Sequence, residues 1–183
     1  MVRVPALTQA EMTDEQKRVD QEIGSTRSGR AAGPFAIWLR DPALADIANQ
    51  FGTYLRDKTS LAKPLQELAI LVTARHWTAQ YEWWVHERRA LEAGIHEDVV
   101  EAIRDRRRPG FDDADQEMVY AVCSELYDTY ALGDDTHDRA VERLGQQTLI
   151  ELVALAGFYS MIALTLNAFE APVPEGGPPP LED

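Results

Sequence analysis

At 183 residues the chain is long enough to bury a hydrophobic core without metals or disulfide bonds, and its length suits one domain. Its formal net charge of −13 argues against nucleic acid as a partner, because phosphate binding requires a basic surface. The single cysteine fits a reducing compartment, so we expect an acidic cytoplasmic protein.

Neither end of the chain predicts secretion or membrane insertion. The first residues, MVRVPALTQAEMTDEQ, lack an apolar core of signal-peptide length. Residues 149–166, LIELVALAGFYSMIALTL, approach the ~20 apolar residues of a membrane span. Glu151 near the start of this segment and the lack of flanking basic residues favour a buried core helix. We therefore expect no membrane partner.

The first third of the chain predicts two longer helices. One enters at Thr13 and ends near Gly24. Asp41 and Pro42 are typical of the start of the next, since aspartate caps a helix and proline suits its first position. Apolar residues at helical spacing follow and predict one buried face: Leu44, Ile47, Ala48, Phe51 and Leu55.

Residues 65–94 concentrate titratable side chains in an apolar setting. The continuous apolar run 68–72 predicts a helix that is buried on nearly all sides, although Glu67 lies at its start. A second helix is expected over residues 79–93, after a break near Trp77 with Thr78 as a possible cap. Gly94 is expected to end this helix in a left-handed conformation.

One face of the second helix carries a carboxylate and an imidazole among alanines. The residues on this face follow at spacings of three and four: Ala79, Glu82, His86, Ala90 and Ala93. Burying an acid and an imidazole costs about a few kcal/mol unless they hydrogen-bond to each other or to a third group. We therefore predict that Glu82 bonds to His86, with Glu67 as the third group. Such a cluster is typical of proton-transfer chemistry, because burial and mutual interaction shift pKa values.

The second half of the chain also reads as helical. Residues 96–106 predict a short helix with four arginines at its end: Arg104, Arg106, Arg107 and Arg108. Positive charge at a helix carboxyl end is favourable by itself, and we prefer this explanation to a site for an anionic substrate or partner. Three further helices are expected from Asp113, over residues 135–144 and over residues 149–169. Apolar residues place the first of these against the core: Met118, Val119, Val122, Leu126 and Tyr130.

The residues of the central segment resemble the carboxymuconolactone decarboxylase family. The resemblance rests on Glu67, then Tyr81, Glu82 and Trp83, then His86, with ELAIL and ARHW before them and ALEAGI after them. The upstream segment GPFAIWLRDPALADIANQFGTYLR adds to it. Together these segments cover about the central half of the chain.

The related alkyl hydroperoxide reductase D-like branch carries a Cys-x-x-Cys pair between its glutamate and its histidine. On the same spacing this chain has Ala79 and Glu82, and its only cysteine, Cys123, lies far away in sequence. Thiol peroxidase chemistry needs an attacking thiolate and a resolving thiol. The resemblance therefore indicates the branch without redox cysteines.

No run of alternating residues predicts a sheet, so we expect an all-α fold. The resemblance implies a single-domain helical bundle of the alkyl hydroperoxide reductase D-like type over residues 1–170. The tail over residues 171–183 is rich in proline and glycine and cannot hold a helix. We expect it to be disordered or packed on a neighbouring subunit.

The resemblance implies a lyase that acts on a small cyclic carboxylate or lactone, without a metal or redox cofactor, in a trimer or hexamer. Glu67, Glu82 and His86 are the expected catalytic residues, with interchangeable acid and base roles. The expected substrate contacts are His76, Tyr81 and Trp83. Glu82 and His86 could also hold one side of a divalent ion with Glu67 as third ligand, but the family does not generally use a metal. Two alternatives stay open: an isomerase or lactone hydrolase with the same residues, and an oligomeric binding protein without turnover.

Overall fold

The computed structural model describes residues 2–27, 29–174 and 181–182, and every regular element in this part of the chain is a helix. The helices in chain order are α1 (Asp14–Arg27), α2 (Pro34–Trp38), α3 (Pro42–Asp57), α4 (Lys63–His76), α5 (Gln80–Glu92), α6 (Glu97–Arg104), α7 (Ala114–Thr129), α8 (Asp134–Leu144) and α9 (Gln146–Ala168). The all-α prediction is confirmed.

The described residues form two compact units. The first comprises Met1–Lys58 and Thr165–Pro172 and contains α1, α2 and α3. Asn49 of α3 is buried there and accepts hydrogen bonds from the end of α1. The second unit comprises Thr59–Leu164 and Val173–Asp183. The assignment of residues 1–170 to a single domain stays a prediction.

Helix α3 begins as predicted but presents a different face to the core. Asp41 accepts a hydrogen bond from the Leu44 amide at 3.2 Å, as a capping residue does. The small residues Ala45 and Ala48 are buried, together with Leu55. Several large apolar side chains of the predicted face are exposed instead: Leu44, Ile47 and Phe51. The prediction was wrong for these three residues, because helices pack most closely along a line of small side chains.

Helix α4 lies in the core of the second unit and packs against α5 and α7. Leu68, Ala69, Ile70 and Leu71 are all at most 1% exposed, so the prediction of a helix buried on nearly all sides is confirmed. A helix buried in this way holds its side chains in fixed rotamers. It is therefore a rigid support for Glu67, which lies near its start.

The break between α4 and α5 lies at residues 77–79, close to the predicted position. Thr78 adopts the left-handed conformation with a φ of 48° and ends α4. Ala79, which caps α5, contributes no side-chain hydrogen bond. Thr78 is not a cap for α5, because its hydroxyl group accepts hydrogen bonds from Arg75 and Arg106. Gly94 has a φ of 96° and follows α5, as predicted.

Helix α7 begins after Asp113, whose side chain accepts hydrogen bonds from two amides of the first turn. Met118, Val119 and Val122 are buried as predicted. Tyr130 is not part of this core. It lies beyond the last turn with a φ of 64°, and it is 90% exposed.

Helix α9 is the one helix among the described residues that is long and apolar enough to cross a membrane. Within its most apolar window, 61% of the residues are buried inside the protein. Glu151 is buried near its start and accepts hydrogen bonds from the amide and hydroxyl groups of Ser60, at 2.7 and 2.6 Å. Such burial is typical of the core helix of a globular protein.

Most of the tail after Pro174, namely residues 175–180 and 183, lies outside the described residues, so its expected disorder or packing on a neighbouring subunit stays a prediction there. The two described residues pack on their own chain. Leu181 is buried, and its carbonyl group accepts a hydrogen bond from Gln80 at 2.8 Å. Its amide donates to the side-chain oxygen of Gln80. The carbonyl group of Glu182 accepts a hydrogen bond from Arg75 at 2.5 Å.

Candidate functional site

Glu67 and His86 are brought together by the packing of α4 against α5. Oε2 of Glu67 lies 2.7 Å from Nδ1 of His86. The two side chains are only 12% and 7% exposed. The ring of Tyr159, from α9, packs edge-on against the imidazole at 5.1 Å between centroids. The pair therefore lies between apolar and aromatic walls, largely screened from water.

The hydrogen bond to Glu67 determines which nitrogen of the His86 imidazole carries the proton. When the Glu67 carboxylate is the acceptor, Nδ1 of a neutral His86 holds the proton and donates it. Nε2 then carries the lone pair. This tautomer is the one in which His86 can take up a proton at Nε2 while Glu67 stabilises the resulting imidazolium.

Glu82 does not form the predicted hydrogen bond to His86. Glu82 is 2% exposed, and among the described residues neither of its carboxyl oxygens has a hydrogen-bond partner. Burial raises the pKa of Glu82 well above its ordinary value of 4.5. The prediction was wrong because the imidazole bonds to the carboxylate of the neighbouring helix. Glu82 consequently keeps its proton to a higher pH than an ordinary carboxyl group does.

A half-buried network of hydroxyl groups surrounds Tyr127 of α7, and nothing in the sequence indicated it. The phenol oxygen lies 2.7 Å from Oγ1 of Thr73 and 3.2 Å from Oγ of Ser160. Burial, followed by the neighbouring Cys123, raises the pKa of Tyr127 to about 12, and Glu82 adds to this shift. The hydroxyl groups come from α4, α7 and α9, which are distant from one another in sequence. The spacing of residues along the chain therefore could not have predicted this network.

His76 lines a pocket of about 200 Å³ at the end of α4. Its ring stacks on that of Tyr127, with 4.4 Å between centroids and 16° between planes. Burial lowers the pKa of His76, while Asp128 opposes and Arg106 reinforces this shift. The residues that line this pocket do not include Glu67, Glu82 or His86.

Tyr81 and Trp83, the other two expected substrate contacts, lie apart from this pocket. Trp83 is 1% exposed, and its indole nitrogen donates to Glu87 at 3.1 Å. Its ring also faces the guanidinium group of Arg104 at 5.8 Å. Trp83 therefore fills the core in this structure. Tyr81 is half-buried, and burial raises the pKa of its phenol, with Arg89 acting in the opposite direction.

Cys123 is fully buried, and burial raises the pKa of its thiol to about 12. Over residues 2–27, 29–174 and 181–182, no three side chains of histidine, cysteine, aspartate or glutamate are grouped to hold a metal ion.

No protein-family model matches the chain, and no curated protein matches it. Solved structures do. An uncharacterized peroxidase-related protein from Silicibacter sp. TM1040 is similar with a TM-score of 0.75 and 11% identity, over 97% of this chain and 91% of that chain. The chain has an alkyl hydroperoxide reductase D-like fold.

The debrominase Bmp8 is a second structural neighbour of this fold. Its apo structure matches with a TM-score of 0.70 and 12% identity, over 94% of this chain and 92% of that chain. A cysteine-to-alanine variant of Bmp8 in complex with 2,3,4-tribromopyrrole gives a TM-score of 0.69 and 13% identity, over 94% and 91% of the two chains. Identities this low establish a shared fold and no shared reaction. Membership of the carboxymuconolactone decarboxylase branch stays a prediction.

Proposed function

We propose that this alkyl hydroperoxide reductase D-like chain is a lyase that transfers protons at carbon on a small cyclic carboxylate or lactone, as carboxymuconolactone decarboxylases do. The observation that carries the proposal is the 2.7 Å hydrogen bond between Glu67 and His86 in a buried setting. Glu82 lies one helical turn before His86 and supplies a second carboxyl group, whose pKa is raised by burial. Two carboxyl groups in different environments near one imidazole suit an acid–base pair.

The proposed reaction needs both a charge acceptor and a proton donor. Loss of carbon dioxide from the substrate leaves a dienolate, whose negative charge must be stabilised before carbon is protonated. Glu82 is the proposed donor, because its raised pKa favours the protonated form. It transfers its proton to carbon and becomes a carboxylate, which regains a proton from solvent after the product leaves. His86 in its doubly protonated form, held by Glu67 at Nδ1, is the proposed group that stabilises the enolate oxygen through its Nε2–H.

A thiol mechanism is not part of this proposal, although the structural neighbours include a peroxidase-related protein and a debrominase. Thiol attack requires a thiolate, and the raised pKa of Cys123 leaves almost none at neutral pH. Full burial also keeps Cys123 away from a substrate. A hydroperoxide assay in which Cys123→Ser lowers the rate would contradict this part.

The decisive experiment measures turnover of a panel of muconolactone-like acids with carbon dioxide release as one readout. We expect the rate to fall by at least about 100-fold in Glu67→Gln, Glu82→Gln and His86→Ala, since a positioned acid or base contributes at least that factor. Glu92→Gln is a matched control, because Glu92 is exposed on the same helix. Wild-type rates in the first three variants would remove the assignment.

Carbon dioxide release also separates the proposal from its alternatives. An isomerase or lactone hydrolase with the same residues would transform the substrate without releasing carbon dioxide. A binding protein without turnover would leave every member of the panel unchanged. In both cases the lyase proposal fails.

We also propose that the chain forms a homo-oligomer, as the family resemblance implies. Large apolar side chains are exposed along one side of α3, a pattern typical of contact surfaces: Leu44, Ile47, Phe51 and Tyr54. Light scattering after size-exclusion chromatography measures the mass. We expect Ile47→Glu to lower the oligomeric mass, and Gln50→Glu, which changes an exposed polar residue of the same helix, to preserve it.

A further inference from the structure

Thr78 and Arg106 both adopt the left-handed backbone conformation, with φ angles of 48° and 55°. Each follows a helix, α4 or α6, at a position where glycine is the usual residue. For the β-branched Thr78 this conformation is a genuine outlier. The two side chains also meet, because Nη2 of Arg106 donates a hydrogen bond to Oγ1 of Thr78 at 3.1 Å. Strain of this kind persists where a site requires a particular side-chain direction.

A second guanidinium group shares the same hydroxyl oxygen. Nη1 of Arg75 donates to Oγ1 of Thr78, also at 3.1 Å. Arg75 is only 5% exposed, and its Nε donates to the carbonyl oxygen of Arg104 at 2.7 Å. The hydroxyl group of Thr78 therefore holds two positive side chains side by side. Two like charges held this close repel each other, and a nearby anion would offset that repulsion.

The pocket of about 200 Å³ that His76 lines opens beside these groups. Arg75, Arg106 and Arg107 line it, and Asp128 contributes one negative charge. The lining therefore carries three positive side chains against one negative, on a chain whose net charge is −13. One of the three, Arg107, also pairs with Asp105 at 3.0 Å, so Arg75 and Arg106 carry most of this excess. Such local reversal of sign concentrates small anions at the pocket.

The rest of the lining is aromatic and apolar. Tyr120 and the stacked rings of His76 and Tyr127 form walls, and the buried Val72 and Ile103 add apolar surface. Pockets for drug-sized ligands have volumes of about 300 to 1,000 Å³, so this pocket suits a smaller molecule. Flat aromatic walls favour a ring, and an arginine fork favours a carboxylate or phosphate oxyanion.

We propose that this pocket is a binding site for a small ring-bearing carboxylate, with the carboxylate on Arg106 and the ring between the aromatic walls. The negative charge of Asp128 favours a monoanion over a doubly charged phosphate. The site is separate from the Glu67 and His86 pair, neither of which lines it. Binding here is therefore independent of the proposed lyase reaction and can be measured without turnover.

The test is a calorimetric titration of the full chain with three probes: benzoate, inorganic phosphate and benzyl alcohol. We expect saturable binding of benzoate, with binding of phosphate and benzyl alcohol weaker by about tenfold or more, because each lacks either the ring or the charge. Benzoate should also shift the ring signals of His76 in a nuclear magnetic resonance spectrum. Phosphate binding as tight as benzoate binding, or no saturable benzoate binding, would overturn the proposal.

Variants locate the bound probe. Arg106→Gln should weaken benzoate binding about tenfold or more through loss of charge-assisted hydrogen bonds. Arg108→Gln is the matched control: Arg108 follows the same helix but pairs with Glu117 and does not line the pocket, so it should leave the affinity unchanged. Equal affinity in Arg106→Gln and wild type would refute the site. Loss of benzoate affinity in His86→Ala would place the probe at the catalytic pair instead, and would also refute it.

Discussion

Glu67 bonds to His86 across two helices although 19 residues separate them, and the nearer acid, Glu82, takes no part in this hydrogen bond. The carboxyl groups of Glu67 and Glu82 therefore lie in different environments. One is held against an imidazole, and the other is isolated in an apolar interior with its pKa raised by burial. Two chemically identical side chains are therefore distinguished by their environments alone.

The buried acid should make the stability of the protein depend on pH. Because the folded state raises the pKa of Glu82 above 4.5, the folded protein binds more protons than the unfolded chain above that pH. The contribution of Glu82 to the free energy of unfolding is greatest below pH 4.5. It is lost as the pH rises towards the folded-state pKa, and the loss is at most about 1.4 kcal/mol per pH unit. Urea unfolding at a series of pH values measures this slope.

The comparison variant is Glu82→Gln, which keeps the shape but cannot ionise. We expect its free energy of unfolding to decline less between pH 5 and pH 8, roughly the range in which a raised carboxyl pKa acts. Glu92→Gln, on the exposed side of the same helix, should follow the wild-type profile. Identical slopes for wild type and Glu82→Gln would mean that Glu82 is ionised in the folded protein.

The hydrogen bond between Glu67 and His86 should also stabilise the fold. Glu67→Ala removes the acceptor facing Nδ1 of a buried ring, and we expect a loss of about 1 to 3 kcal/mol in the free energy of unfolding. Glu67→Gln retains an acceptor oxygen and should lose less. Chemical denaturation of both variants measures the difference, and equal stability of Glu67→Ala and wild type would argue against the contact.

The left-handed residue Arg106 predicts an unusual stabilising substitution. Arg106→Gly relieves a backbone conformation that costs a residue with a Cβ atom about 1 to 2 kcal/mol, so it should raise the free energy of unfolding by up to about 1 kcal/mol after the entropy cost of glycine. Arg106→Ala removes the same side chain but keeps the strain, and should bring no such gain. Thermal unfolding of the two variants checks this, and equal melting temperatures would contradict it.

The described end of the chain should contribute to stability through one side chain. Leu181 is buried against the second unit, so Leu181→Ala should lower the free energy of unfolding by about 2 kcal/mol. Glu182→Ala is the control, because Glu182 contacts Arg75 through its backbone carbonyl group, which alanine retains. Urea unfolding measures both, and a neutral Leu181→Ala would show that this contact does not persist in solution.

Local rules accounted for much of the helical framework. Asp41 with Pro42, Asp113 and Gly94 are found at helix ends as expected, because capping depends on residues that are neighbours in the chain. The burial of α4 followed from its apolar run. The predicted face of α3 and the core position of Tyr130 failed, since periodicity does not reveal which of two apolar sides meets a partner.

The amino-acid sequence by itself determined that the chain is helical, that an acid and an imidazole lie in apolar surroundings, and that no pair of cysteines is available. Only the tertiary structure decided which carboxyl group bonds to His86 and which stays alone. It alone placed the arginines after α6 beside the aromatic rings of α4 and α7. Hydrogen-bond partners and pKa values depend on distances between helices, and spacing along one helix cannot specify these.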